Sequence, residues 1–313
     1  MRVLHKIESL ETNCAFPVPI ARLRSMLTNL YAQVRGIIND EAQADWDGHD
    51  PLVSEIKPVA YFLDIADAHS YVESLYNNTL AFYQRTELSP PVTLEQTDAI
   101  RAQHHMLCCA LRSSCDALNA TVANGVHEGA EKAIAILRLH HTSLSVRLST
   151  NVFLEDQRET FFDDLEQQMV QMLDYCRLIL QNEDDGNDES THHLIYSSGL
   201  GAVMPLHMIA ARCRNPLVRQ EALEMLLRAR RREGFWDSTL TEKIVSTTIE
   251  LEQKGGSLDY EMADCKSVQR VPDNARIREV KIHFEGERRA RLDFITVGQW
   301  KNNERGYQRC IQW

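Results

Sequence analysis

Apolar residues recur every three or four positions along most of this 313-residue chain, the period of helices with one buried face. Leu23, Met26, Leu27, Leu30, Val34, Ile37 and Ile38 predict a helix over 20–38. The same spacing predicts a helix over 65–83, opened by Asp64. Thr93 and Gln96 form a capping-box signature for a long helix to about residue 123, closed by Asn124-Gly125. Further helices are predicted over 127–147, with Ala130, Ala133, Ile134, Leu137 and Leu144 inward, over 157–181, and over 239–254. After Gly255-Gly256 the period drops to two. Val280, Ile282 and Phe284 alternate, Glu285-Gly286-Glu287 turns, and Ala290, Leu292 and Phe294 alternate, which predicts a β-hairpin over 277–297 packed on the helices.

The most specific stretch is 197–237. Residues 200–212 are apolar on nearly every face, the mark of a helix buried all round, with Pro205 in its first turn. Asn215-Pro216 reads as an N-cap followed by a proline at the first helical position. Val218, Ala222, Met225 and Leu226 give that next helix its inward stripe. Arg228, Arg230, Arg231 and Arg232 sit where it ends, Gly234 stops it, and Phe235 and Trp236 dock on the core, Trp236 being critical to the fold. The architecture expected is all-α, a single helical domain of about eight to ten helices with a C-terminal β-hairpin. A loose lead-in occupies 1–19, the domain 20–297, and a polar tail 298–313.

The 43% hydrophobic and 25% charged content is that of a globular protein with a sizeable core. A net charge of −11 argues against nucleic-acid binding through the bulk surface, so no direct nucleic-acid partner is expected. No apolar stretch reaches membrane-span length and the N-terminus lacks a secretion signal, so no membrane partner is expected either. The eight scattered cysteines read as reduced thiols of an intracellular protein, nuclear or cytoplasmic.

The elements SSGLGAVMPLHMIAARCRNPLVRQEAL, RRREGFWDS and VPDNARIREVKIHFEGERRARLDFI, in that order, resemble the C-terminal part of the fungus-specific regulatory domain of fungal binuclear zinc cluster transcription factors. PVAYFLDIADAHSYVESLYNNTLAFYQR resembles an earlier part of it. That family's DNA reader needs six cysteines in two close groups. Cys14, Cys108, Cys109, Cys115, Cys176, Cys213, Cys265 and Cys310 do not have this spacing. The resemblance implies a regulatory domain without the zinc cluster or any DNA-binding module of its own. It would act in control of a secondary-metabolite pathway by pairing with a related regulator, as a homo- or heterodimer, or by binding a small-molecule effector.

Two chemical alternatives come from the residues. His104 with Cys108 and His105 with Cys109 are i,i+4 pairs, each two ligands short of a structural zinc set. They read as core or half-buried side chains, as do His140-His141, His192-His193 and His207. Asp184, Asp185 and Asp188 spell DDxxD after a long helix, which resembles the Mg²⁺-binding motif of all-α prenyl-diphosphate cyclases. Asp163-Asp164 is a second acidic pair nearby. On this reading the chain is a Mg²⁺-dependent cyclase or lyase; on the leading one it has no catalytic residue, metal or cofactor, and 182–191 is a solvated loop.

Overall fold

The computed structural model describes residues 23, 26–30, 33, 56–88, 93–125, 129–149, 159–181, 195–197, 199–256 and 271–313. These are mostly helical, with a C-terminal antiparallel sheet containing the expected hairpin. Residues 26–30 are helical within the predicted 20–38. The lead-in 1–19 and the acidic loop 182–191 lie outside the described residues.

α1 (Ile65–Leu88) is opened by Asp64, whose Oδ1 accepts from the Asp67 amide at 2.8 Å. α2 (Leu94–Ala123) carries the capping box in full: Gln96 N–H donates to Thr93 Oγ1 at 3.2 Å, and Thr93 N–H to Gln96 Oε1 at 3.1 Å. α3 (Glu131–Ser149) is the centre of the molecule. Leu144 and Leu148 pack with Leu75, Phe82, Leu107 and Leu111 of α1 and α2. Ala135, Leu139 and Val146 pack into the second core, with Met169, Met172 and Leu173. The single inward stripe predicted for this helix is therefore incomplete, because α3 is buried on several faces, His140 and His141 included.

A 3-10 turn (Glu159–Leu165) leads into α4 (Glu166–Leu180), where one continuous helix was predicted. This turn is tied to Arg276, which donates to the Glu159 carbonyl at 3.1 Å and holds both oxygens of Asp163 at 2.7 and 2.9 Å. α5 (Val203–Arg212) is buried on nearly every face, as its sequence predicts. α6 (Pro216–Ala229) has Asn215 as N-cap, with Oδ1 accepting from Leu217 N–H at 3.0 Å, and Pro216 in the first turn.

The arginine run then departs from expectation. α6 ends at Arg230, in the left-handed region at φ 38°. The following residues form a small ribbon: β1 (Ile195–Ser197) runs parallel to β2 (Arg231–Glu233), which pairs antiparallel with β3 (Trp236–Asp237). Gly234, at φ +63°, turns the ribbon rather than stopping the helix. Phe235, at the tip, is 39% exposed rather than docked, whereas Trp236 packs against the second core.

α7 (Ser238–Gly256) supplies Leu240, Ile244 and Leu251 to a third core. The sheet β4 (Ile277–Gly286), β5 (Arg289–Thr296), β6 (Tyr307–Gln312) lays Ile277, Ala290, Leu292 and Phe294 on it. Val280 faces Phe294, Ile282 faces Leu292 and Phe284 faces Ala290, the register the alternation implies. The stretch from 298 is not a tail. Thr296 and Gln299 make a second capping box for α8 (Val297–Lys301), and β6 then returns along β5, with Ile311 opposite Ala290. Trp300 is covered by the Arg278 guanidinium, 3.9 Å from the ring centre.

Candidate functional site

The N-terminus of α5 has no cap from its own neighbourhood; Ala202, at the N-cap, offers no side-chain acceptor. The first amides of a helix need partners and carry a positive end of the helix dipole. Glu233 of β2 supplies both. Its Oε1 accepts from Ala202 N–H at 3.0 Å and its Oε2 from Val203 N–H at 2.8 Å. Arg231, two residues earlier on the same face of the strand, places Nε 2.9 Å from Oε1. The carboxylate is buried, and it reaches the backbone only because Gly201 has no side chain: a Cβ there would stand 2.1–2.3 Å from the Glu233 carboxyl atoms.

Around this junction lie Tyr76 of α1, His140 of α3, Met204 of α5 and Trp236 of β3, lining a cavity of about 20 Å³, room for about one water molecule. His140 Nε2 is 2.9 Å from the Gly201 carbonyl. A carbonyl only accepts, so Nε2 carries the proton, and Nδ1 is left a bare acceptor with no hydrogen-bond partner. The ring stands edge-on to Tyr76, centroids 5.6 Å apart. His207 lies half-buried beside Trp236, ring centroids 5.7 Å apart. His141 meets Ser114 Oγ at 2.9 Å; that hydroxyl already donates to the Leu111 carbonyl, so His141 is the donor.

The electrostatics do not favour acid–base or nucleophilic work here. Burial pushes the His140 imidazole down to about 4, against the opposing pull of the Gly201 carbonyl, with nearby His69 and His141 lowering it further. Burial also takes His141 to about 4, raises the Tyr76 phenol, and, with Glu233 adding to it, raises the Cys176 thiol. These groups stay neutral at pH 7. An unfolded histidine takes its proton as the pH falls through about 6.5. His140 and His141 do so in the folded protein only near 4. The unfolded state binds more protons between those values, so stability is complete above 6.5 and falls as the pH drops to 4, by up to about 1.4 kcal/mol per unit for each histidine. Urea midpoints from pH 7 to 4.5 should show this slope, and His140→Gln should flatten it; an unchanged slope in that variant rejects a buried, neutral His140.

A second buried polar network lies across α5, α6, α7 and β4. Glu252 of α7, fully buried, accepts from Arg214 at 2.6 Å, from Arg219 at 3.0 Å and from the Ile277 amide at 2.9 Å. Arg219 also donates to the Ala210 carbonyl at 2.9 Å. Arg212 reaches Glu159 and the Ile277 and Arg278 carbonyls. These contacts join the helical body to the sheet.

Asp184, Asp185 and Asp188, the candidate Mg²⁺ ligands, lie outside the described residues, as do His192 and His193. Asp163, read as their acidic companion, is instead engaged by Arg276. No group of three or more His, Cys, Asp or Glu side chains that could hold a metal occurs among the described residues. His104 and Cys108, and His105 and Cys109, remain pairs. No helix among the described residues is long and apolar enough to cross a membrane. The Glu233 cap escapes sequence reading because its acceptor lies 31 residues from the Ala202 amide. The only hint is a buried-helix start with glycines and no capping side chain.

Over 100 residues the chain is 30% identical to the aspercryptin biosynthesis cluster-specific transcription regulator atnN of Emericella nidulans. That stretch is 32% of this chain and 16% of that protein, so the likeness covers a minor part of either. No family model matches the chain, and no solved structure matches it.

Proposed function

We propose that this chain is a regulatory module related to the transcription regulators of fungal secondary-metabolite gene clusters, without a zinc-cluster DNA reader of its own, acting in the nucleus through a protein partner. The observation that carries the reading is the 100-residue likeness to a cluster-specific transcription regulator. The helical fold with a terminal hairpin accords with the elements from which the resemblance was first drawn. The cysteine spacing provides no six-cysteine cluster in this sequence. The cavity beside Glu233 has room for about one water, which favours a protein partner over a small effector held there.

Deletion of the gene followed by total RNA sequencing tests this. A coordinated change in the transcripts of one set of adjacent biosynthetic genes is the expected result. An unaltered transcript profile under conditions where the gene is expressed overturns the reading.

A further inference from the structure

Three soft donor side chains fall within two turns of α2. His105 is exposed, Met106 is 41% exposed, and Cys109 is a partly exposed free thiol. Cys109 follows His105 by four residues and Met106 by three, the two spacings that bring helical side chains side by side. The His105 Nε2 lies 3.5 Å from the Cys109 Sγ. A d¹⁰ cation that holds nitrogen at about 2.0 Å and sulfur at about 2.3 Å separates those two atoms by about 3.5–3.8 Å. The pair therefore stands at ligating separation without a change of rotamer.

The neighbouring pair does not. Cys108 Sγ is 3.8 and 4.0 Å from the two ring nitrogens of His104, nearly equidistant, so neither lone pair converges with the sulfur on a shared point. His104 Nε2 is also engaged by the Leu148 carbonyl at 2.9 Å. The same sequence spacing, one turn apart on one helix, thus yields one open chelating pair and one occupied pair.

We propose that His105, Met106 and Cys109 form a surface site for a soft monovalent cation, Cu(I). Imidazole, thioether and thiolate together are the donor set that selects Cu(I) over the hard divalent ions, and Met106, three residues before Cys109 on the helix, is spaced to turn its thioether to the pair as the third donor. On binding, the Cys109 S–H bond breaks, its proton passes to solvent and the S–Cu bond forms, so affinity rises with pH. No redox step is involved.

The test is an anaerobic competition titration of the full chain against the Cu(I)–bicinchoninate complex. The expected result is one equivalent of Cu(I) withdrawn per chain. Cys109→Ser, His105→Ala and Met106→Leu should each weaken binding by about tenfold or more, since even outer-shell losses cost that much. Cys108→Ser and His104→Ala should leave it unchanged. These substitutions fall at exposed or partly exposed positions, and thermal unfolding of each variant verifies that it is folded. Failure to withdraw Cu(I) overturns the proposal and leaves the pair as a thiol–imidazole hydrogen bond. Binding that survives Cys109→Ser also overturns it, by placing the metal on another thiol such as the exposed Cys310.

Discussion

Glu233→Ala is expected to destabilise the protein by about 3–5 kcal/mol, the cost of removing one partner from a buried ion pair. The carboxylate is only 4% exposed and serves three groups at once: the Ala202 and Val203 amides and the Arg231 guanidinium. Its loss leaves the Ala202 and Val203 amides without this acceptor and the Arg231 guanidinium without this carboxylate, beside a cavity of about 20 Å³. A typical domain has 5–15 kcal/mol in total, so the variant should fall near the threshold of folding. Glu233→Gln retains one acceptor oxygen but turns an amide towards a helix amide, and should cost less, about 1–3 kcal/mol. Urea denaturation followed by circular dichroism measures both. A shift under about 1 kcal/mol for the alanine variant would show the pair to be solvated and the cap dispensable.

The second large effect is expected for Glu252→Ala. Here the carboxylate is fully buried and joins a loop arginine, a helix arginine and a strand amide, at Arg214, Arg219 and Ile277. Removing it strands two cations in one low-dielectric place, again about 3–5 kcal/mol. Arg219 keeps the Ala210 carbonyl, whereas Arg214 has Nε and Nη2 without hydrogen-bond partners even in the wild type. Arg214→Met in the Glu252→Ala background should therefore recover part of the loss, because it removes the worse-placed charge. If the double variant is no more stable than the single, the coupling between these two residues is absent and the network is a set of independent contacts.

Both effects centre on residues with no marked pattern in the sequence. The Arg228–Arg232 run suggested cations complementing the end of α6, yet only Arg228 stands in the last turn of that helix, in an exposed pair with Glu224. Arg231 turns inward instead, because the left-handed Arg230 redirects the chain into β2 and places positions 231 and 233 on the buried face. That choice depends on what α5 and α7 present to the strand. Likewise His140 and His141 read as core histidines, but which atoms they would meet was open. The Gly201 carbonyl and the Ser114 hydroxyl lie 61 and 27 residues away.

What the sequence by itself determined lies within one or two turns of chain. The Thr93–Gln96 box, the Asn215-Pro216 start, the all-round apolar α5 and the hairpin register each follow from groups close in sequence, so the residues alone specify them. What only the tertiary structure decided is how those pieces complete one another. α3 is buried on several faces because three cores form around it, where the sequence marks one inward stripe. The stretch 298–313 becomes the end of α8 and then β6 because β5 offers an edge to pair with and the third core takes Ile311 and Trp313. Glu233 caps a helix that begins 30 residues before it, and Glu252 gathers two arginines and a strand amide. A buried polar group must find its partner wherever packing brings one, so these pairings are settled by the fold as a whole.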